Sequence, residues 1–296
     1  MKRVLLMVAS VLLAINAVAA QALPNLPKNL HSGAWKAGHV QGIAVDSKQE
    51  FVYLSFTTML VKMNMQGEVV GTVTGLLGHL GCLDFNEEDG RVYGSLEYKN
   101  DSIGRGILKS EGVSQQLEIG FYVAIFDVDK ITRVGMSAER DGVMTTVLLK
   151  TVVEEYLAKV KNNGIELEHR HGCSGFDGIT FGPKFGTSST KHYLTISYGI
   201  YGDKERTDND YQVLLQYDTK KWAKYEAPLS QNNMHHQGPS KPNGKYFVYT
   251  GNTSYGVQNL EYDKDTKLWF LACYPGRKAT YANYTLFTVD ATKRPV

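Results

Sequence analysis

The sequence has few cysteines, a small net charge and only one long apolar run, and each of these absences excludes a class of protein. Three cysteines in 296 residues are too few for a disulfide framework, so the fold must depend on its hydrophobic core. The net charge is +2 and the charges are interspersed, which argues against nucleic acid or an anionic membrane surface as a partner. Beyond the N-terminal run no stretch approaches the roughly 20 apolar residues of a spanning helix, so no membrane insertion is expected.

Motifs of known enzyme chemistry are also missing. The sequence contains no Gly-rich phosphate loop with Lys and Ser/Thr, and no HExxH zinc motif. Residues 172–175 read Gly-Cys-Ser-Gly, which differs from the spacing of a nucleophile elbow. The motifs therefore leave open whether the protein is an enzyme, and a site has to be located from the fold.

The first 20 residues have the three parts of a secretory signal peptide. A Lys2-Arg3 head precedes an apolar run over 4–15 and small residues over 17–20. We predict cleavage between Ala19 and Leu23 and export to the periplasm or the exterior. The alternative is a retained N-terminal anchor, which the prolines that follow disfavour. The rest of the chain is predicted to be a linker, 21–38, and a single domain, 39–296.

The remaining sequence favours strands and contains an internal repeat. It has 18 Tyr, 11 Phe and 29 Gly, and apolar and polar residues alternate in short runs. The clearest unit spans 235–274, where a polar turn precedes short runs at 246–250, 257–262 and 268–274. Similar units have a glycine at the same place, and these glycines are Gly42, Gly81, Gly178 and Gly238. Repeats of four short strands over about 40 to 50 residues are typical of a β-propeller.

We therefore predict an all-β protein, a propeller of five four-stranded blades. Six blades are the alternative count, and a β-sandwich is the competing fold. One further unit is expected between 128 and 172. Within it, residues 143–160 predict either a helix inserted between blades or a strand of that unit. Residues 284–290 are expected to close the ring by joining the first blade.

Propeller geometry predicts where a site lies, because loops before the innermost strands meet loops between second and third strands at one mouth of the ring. The predicted metal ligands are His39, His79, His171 and Asp177; the predicted catalytic groups are Glu97 and His236; and the predicted ligand-binding residues are Tyr198, Tyr201, Asn252 and Tyr255. Imidazoles, carboxylates and amides around one axis predict a divalent cation. The competing explanation is that each histidine is only a turn residue, which forms a hydrogen bond with a backbone group. Replacing Glu97 or His236 by alanine is expected to abolish binding at little cost in stability.

Two short stretches carry a resemblance to known propellers. Residues 42–46 read Gly-Ile-Ala-Val-Asp and residues 178–181 read Gly-Ile-Thr-Phe, each before a Tyr-containing second strand. In these features the chain resembles the secreted propellers of the gluconolactonase and NHL-like types and of the five-bladed nucleotidase type. The resemblance implies calcium on the axis, held by Glu97, Asp177 and Asn252. The histidines depart from that pattern because calcium prefers oxygen ligands, so the expected cofactor is calcium or a transition metal.

Two functions from different classes remain open at the level of sequence. In the first, an exported hydrolase uses a divalent cation to act on a small ester, lactone or phosphoester. In the second, the upper-loop tyrosines and Asn252 bind a glycan or peptide without catalysis. The expected partner is a small molecule or a glycan in either case.

Overall fold

The computed structural model describes residues 27–187 and 190–296. The predicted signal peptide lies outside these ranges, so its prediction stays untested. Within them, no helix has both the length and the apolar character needed to cross a bilayer. The three cysteines are free and buried, in agreement with a fold that depends on its core.

The first half of the chain forms two mainly antiparallel sheets. The first sheet contains β1 (Val40–Val45), β2 (Phe51–Phe56), β3 (Met59–Asn64) and β4 (Val69–Thr74). The second contains β5 (His79–Asn86), β6 (Arg91–Tyr98), β7 (Gly120–Phe126) and β9 (Met144–Leu148). The short strand β8 (Met136–Ser137) precedes β9 in the chain and belongs to the first sheet. Helix α1 (Ser102–Ser110) lies in the connection from β6 to β7, and Asp101 caps it by accepting hydrogen bonds from the backbone of Ile103 and Gly104.

The second half forms two further sheets. Helix α2 (Lys150–Tyr156) and a hairpin of β10 (Lys159–Asn162) and β11 (Ile165–Glu168) lead into them. The third sheet contains β12 (Cys173–Pro183), β13 (His192–Ile200), β14 (Tyr211–Tyr217) and β15 (Gly244–Tyr249). The fourth contains β16 (Thr253–Asp263), β17 (Leu268–Pro275) and β18 (Leu286–Asp290). Short 3₁₀ helices occur at Val128–Lys130, Arg170–Gly172 and Thr219–Lys224.

The first strand of each sheet packs on the first strand of the next, from β1 to β5, β12 and β16. Gly42 lies so close to β5 that an added Cβ would be 2.7 Å from the Cα of Cys82. Likewise, a Cβ on Gly178 would be 3.0 Å from that of Leu260 on β16. The repeat glycines of β1, β5 and β12 therefore lie where innermost strands approach one another, which gives the repeat its physical reason.

Apolar side chains fill the spaces between neighbouring sheets. Tyr53, Leu60 and Val73 of the first sheet join Leu80, Leu96 and Tyr122 of the second. Tyr93, Phe121 and Val147 of the second join Phe176, Ile196 and Val213 of the third, and Leu214 of the third joins Trp269 and Leu271 of the fourth. Each sheet thus buries its apolar faces on its neighbours, as blades of a propeller do, and the all-β, propeller-like arrangement is confirmed.

The predicted count of five or six blades is wrong, because the described residues form four such sheets. No separate unit forms between 128 and 172. In that segment β8 adds to the edge of the first sheet beside β4, and β9 completes the second sheet beside β7. Residues 143–160 contain both predicted elements in turn, the strand β9 and then the helix α2.

The unit read at 235–274 is also wrong, because it joins parts of two sheets. Its first predicted strand, 246–250, overlaps β15, which is the last strand of the third sheet and pairs with β14. Gly238 lies beside the second sheet, where a Cβ would be 1.8 Å from the carbonyl oxygen of Leu148. Residues 284–290 do not join the first blade, since β18 pairs with β17.

Candidate functional site

A pocket of about 530 Å³ opens where the innermost strands of all four sheets begin. Most of its lining residues carry a polar group, and they come from segments far apart in sequence. The lining residues are His39, Gln41, Thr57, His79, Lys99, Asp101, Ser102, Ile103, Ser174, Asp177, Tyr201, Tyr255, Gln258 and Tyr274. Five of the predicted site residues, His39, His79, Asp177, Tyr201 and Tyr255, therefore meet around one cavity.

A group of three potential metal ligands lies at this pocket. His79, Glu97 and Asp177 each offer one ligand atom, and these atoms all lie within 4.8 Å of one another. Nδ1 of His79 is 3.8 Å from Oδ1 of Asp177. Within residues 27–187 and 190–296 this is the one group of three or more His, Cys, Asp and Glu side chains with such spacing.

Strand pairing explains how the three side chains come together. His79 at the start of β5 is the direct partner of Glu97 near the end of β6, so their side chains lie side by side on one face. Asp177 lies in β12 where the register with β13 shifts between Phe176 and Ile179. Such irregularities redirect a side chain out of the regular alternation. Asp177 is thereby brought to the His79 side of the pocket.

Glu97 is held in a fixed, buried position at this group. Its side chain is 1% exposed, and its Oε1 accepts a hydrogen bond of 2.5 Å from the backbone N–H of Phe176. The close approach depends on Gly175, where an added Cβ would lie 1.9 Å from the same oxygen. The other oxygen, Oε2, is 2.7 Å from Nζ of Lys99. The carboxylate is thus oriented by the backbone on one side and by an ammonium group on the other.

Burial and charge set the protonation of these groups. Burial raises the pKa of Glu97 to about 8, against the opposing effect of Lys99. Burial alone would lower the pKa of Lys99, but Glu97, Asp177 and Asp101 outweigh it and raise that pKa, so Lys99 stays a cation. Burial also lowers the pKa of His79, although Asp177 opposes this effect. A neutral imidazole is the form that binds a metal.

Hydrogen bonds fix the polar rim of the pocket. Asp101 accepts a hydrogen bond of 2.9 Å from the hydroxyl of Tyr201 while it caps α1. Gln258 donates to Oδ2 of Asp177 at 2.9 Å. Tyr255 is half-exposed and has a φ of +66°, a conformation that side-chain-bearing residues rarely adopt. Its ring lies edge-on to that of Tyr274, with centroids 5.9 Å apart. The unusual backbone conformation thus goes with a tyrosine ring that is partly exposed at the pocket.

Two of the predicted ligand-binding residues are buried outside this lining. Tyr198 is fully buried between the second and third sheets, where its hydroxyl donates to Glu155 at 3.0 Å. Asn252 is 1% exposed, and its side-chain oxygen accepts the backbone N–H of Arg277 at 2.9 Å. Both contacts are of a kind that stabilises the fold.

Two predicted histidines lie away from the pocket. His171 is in the 3₁₀ turn before β12, and its ring centroid is 5.2 Å from that of Phe247 on the outer strand β15. His236 is exposed and pairs with Glu118 at 2.7 Å. The polar turn at 235–238 predicts an innermost strand after it, but the strand that follows is β15, at the outer edge of the third sheet.

Sequence reasoning missed the charged neighbours of Glu97. Lys99 and Asp101 line the pocket and lie two and four residues after Glu97. A signal was present, because charges of alternating sign at every second position share one side of an extended chain. Gln258 had no such signal, since it depends on β16 being the innermost strand of the fourth sheet.

A second, acidic pocket of about 330 Å³ lies at the other ends of β5, β12 and β16. Asp84 lines it and is partly buried. Its Oδ2 accepts hydrogen bonds from the backbone of Phe181 at 2.6 Å and from the hydroxyl of Thr180 at 2.9 Å. Burial nevertheless raises the pKa of Asp84 from 3.8 to about 6. This carboxyl stabilises the protein best when it is protonated.

Asp84→Asn should therefore flatten part of the pH dependence of stability. Because the folded-state pKa of Asp84 is above its unfolded value, its stabilising contribution is complete below pH 3.8 and is lost as the pH rises through about 6. The free energy of unfolding of the wild type should fall relative to that of the variant over this window. Urea titrations of both proteins from pH 4 to pH 7 measure the difference. Parallel curves would contradict the raised pKa.

Comparisons with known proteins identify no family for this chain. No protein-family model and no curated protein matches the chain. Among solved structures, the chain is similar to a protein of unknown function from Bacteroides caccae, with a TM-score of 0.38 and 6% identity over 87% of this chain and 80% of that one. It is also similar to the Dos1 propeller, with a TM-score of 0.32 and 10% identity over 87% and 57% of the two chains. A third similar structure is that of a soluble aldose sugar dehydrogenase from Escherichia coli, with a TM-score of 0.36 and 12% identity over 82% of this chain and 59% of that one.

Proposed function

We propose that this chain is an exported propeller protein that binds a divalent cation in its central pocket and hydrolyses a small ester, lactone or phosphoester there. The observation that supports this most is the convergence of His79, Glu97 and Asp177 from three strands of two sheets. One imidazole and two carboxylates suit zinc or another transition metal better than calcium, which prefers six to eight oxygen ligands. The donor set therefore fits a catalytic rather than a purely structural ion.

The chain's own groups would divide the work of hydrolysis. A bound cation would supply a polarised substrate oxygen and a more acidic water. His79 and Asp177 would hold that ion at the pocket wall, and Gln258 keeps Asp177 in place. Glu97 would be the third ligand, since Lys99 favours its ionised form against the burial that raises its pKa. Lys99 carries a positive charge in a water-poor place, where it would stabilise a developing oxyanion.

Loss of either of two ligands should abolish cation binding. We expect His79→Ala and Asp177→Asn each to weaken Mn²⁺ or Zn²⁺ binding by at least about a hundredfold, because neither leaves enough donors to replace bound water. Isothermal titration calorimetry of the purified protein measures this loss. His236→Ala is the matched control, since that imidazole is exposed and lies outside the pocket lining.

Activity assays complete the test of the proposed reaction. Wild type and Asp177→Asn are compared on aryl esters, lactones and phosphoesters, with and without the cation that calorimetry identifies. Hydrolysis that needs the cation and disappears in the variant supports the proposal. A wild-type protein that binds neither Mn²⁺, Zn²⁺ nor Ca²⁺ at millimolar concentration overturns it.

A second candidate function rests on the tyrosines of the rim. Tyr201, Tyr255 and Tyr274 line the same pocket, and aromatic rings with hydroxyl groups suit a glycan. In this case the protein binds a sugar without hydrolysis. Glycan binding that persists in Asp177→Asn and is lost in Tyr255→Ala would favour this function over the first.

A further inference from the structure

Lys99 places a fixed positive charge at the proposed cation site. Its Nζ is 2.7 Å from Oε2 of Glu97 and donates to the carbonyl oxygen of Ser174 at 3.0 Å. The side chain is only 6% exposed, so water replaces these contacts poorly. Glu97 is therefore already paired with one cation when a metal ion arrives.

The charges around the pocket nevertheless leave room for a divalent ion. Three acidic side chains, those of Glu97, Asp101 and Asp177, lie near the one ammonium group of Lys99. The acidic groups therefore outnumber the basic one, and a divalent cation would offset the excess. Asp101 cannot turn toward that ion freely, because its two oxygens already accept from the helix backbone and from Tyr201.

The surroundings of Lys99 also offer it a second anionic partner. Oδ2 of Asp101 is 3.9 Å from Nζ, on the rim of the same pocket. An ammonium group that keeps its bond to Ser174 can therefore move away from Glu97 without losing all negative neighbours. The lysine charge thus lies beside Glu97, with a second carboxylate, that of Asp101, at 3.9 Å.

We propose that Lys99 is a tethered counter-ion that competes with the divalent cation for Glu97 and so sets the affinity of the site. This inference rests on the proposed function, because it concerns the same ion. Entry of the cation moves the ammonium group from Glu97 toward Asp101. The competition keeps the affinity of the site for the cation moderate, because a cation that binds must displace the ammonium group from Glu97.

Removing the lysine charge tests the proposal directly. At pH 8, we expect Lys99→Met to bind Mn²⁺ at least about tenfold more tightly than the wild type, because a like charge a few ångströms from the ion is gone. Lys99→Arg keeps the charge and is the matched control, with affinity close to that of the wild type. Calorimetry gives both affinities, and circular dichroism checks that the variants fold. A folded Lys99→Met that binds Mn²⁺ no more tightly than the wild type overturns the inference.

A second measurement covers the case in which Lys99→Met does not fold. A crystal structure of the wild type with Mn²⁺ should show Nζ farther from Oε2 of Glu97 than the present 2.7 Å. An unchanged distance with the ion bound overturns the competition while leaving the proposed function standing. If neither wild type nor variant binds Mn²⁺, Zn²⁺ or Ca²⁺, the proposed function itself is wrong, and the two failures are thereby distinguished.

Discussion

Gly175→Ala should lower the free energy of unfolding by at least about 3 kcal/mol and abolish cation binding. The φ of Gly175 is +117°, which disfavours any residue with a Cβ. A methyl group there would also lie 1.9 Å from Oε1 of Glu97 and 2.6 Å from the ring of Phe121, both of which are buried. To relieve this clash, the Glu97 carboxylate would have to move and break its hydrogen bond with the backbone N–H of Phe176. Guanidinium denaturation and calorimetry on the purified variant measure the two effects.

Alanine variants of two other glycines distinguish the cost of steric clash from the cost of backbone strain. Gly112 has a φ of +72° in open space, so Gly112→Ala should cost only about 1 kcal/mol. Gly106 lies within α1 with nothing near its Cβ position, and Gly106→Ala should stabilise the protein by up to about 1 kcal/mol. A Gly175→Ala variant no less stable than Gly112→Ala would show that Glu97 does not approach the backbone so closely.

Local sequence patterns predicted many of the strands and part of the site. β1, β5 and β12 were located by the motif of a polar residue, a glycine and an alternating apolar run. Because that motif marks innermost strands, the residues beside it were predicted to lie at one mouth of the ring. His79 and Asp177 do lie together at the central pocket. Glu97 lies close to these two side chains because β6 pairs with β5, where His79 is its direct partner.

The remaining predictions failed where pairing between distant segments decides the structure. β15 has the alternation of any half-buried strand, and its own sequence does not reveal whether it is the first strand of a sheet or the last. It is the last, because Tyr246 and its neighbours pair with β14. That one assignment displaced His236 from the axis. The extra blade in the predicted count has a different cause, the unit expected between 128 and 172, whose strands β8 and β9 pair with strands of the first and second sheets instead. The role of Asn252 was likewise hidden, since its partner Arg277 is 25 residues away.

Glu97→Ala should now lower the free energy of unfolding by about 3 to 5 kcal/mol, because it leaves the buried ammonium group of Lys99 without its partner. The sequence alone predicted little cost for this change. The ion pair of 2.7 Å, with both side chains less than a tenth exposed, reverses that expectation. Lys99→Met should be destabilising for the same reason, since it leaves the buried carboxylate of Glu97 without its ion-pair partner.

The double variant Glu97→Ala/Lys99→Met decides whether the pair is the cause. With both charges gone no buried ion remains unpaired, so the double variant should be more stable than either single variant. Urea denaturation of the four proteins gives the coupling free energy. The exposed pair of Lys159 and Glu166, 3.6 Å apart, is the control, and removing either partner there should cost less than about 0.5 kcal/mol. Additive losses at 97 and 99 would mean that the two side chains stabilise the protein independently, through packing rather than through their charges.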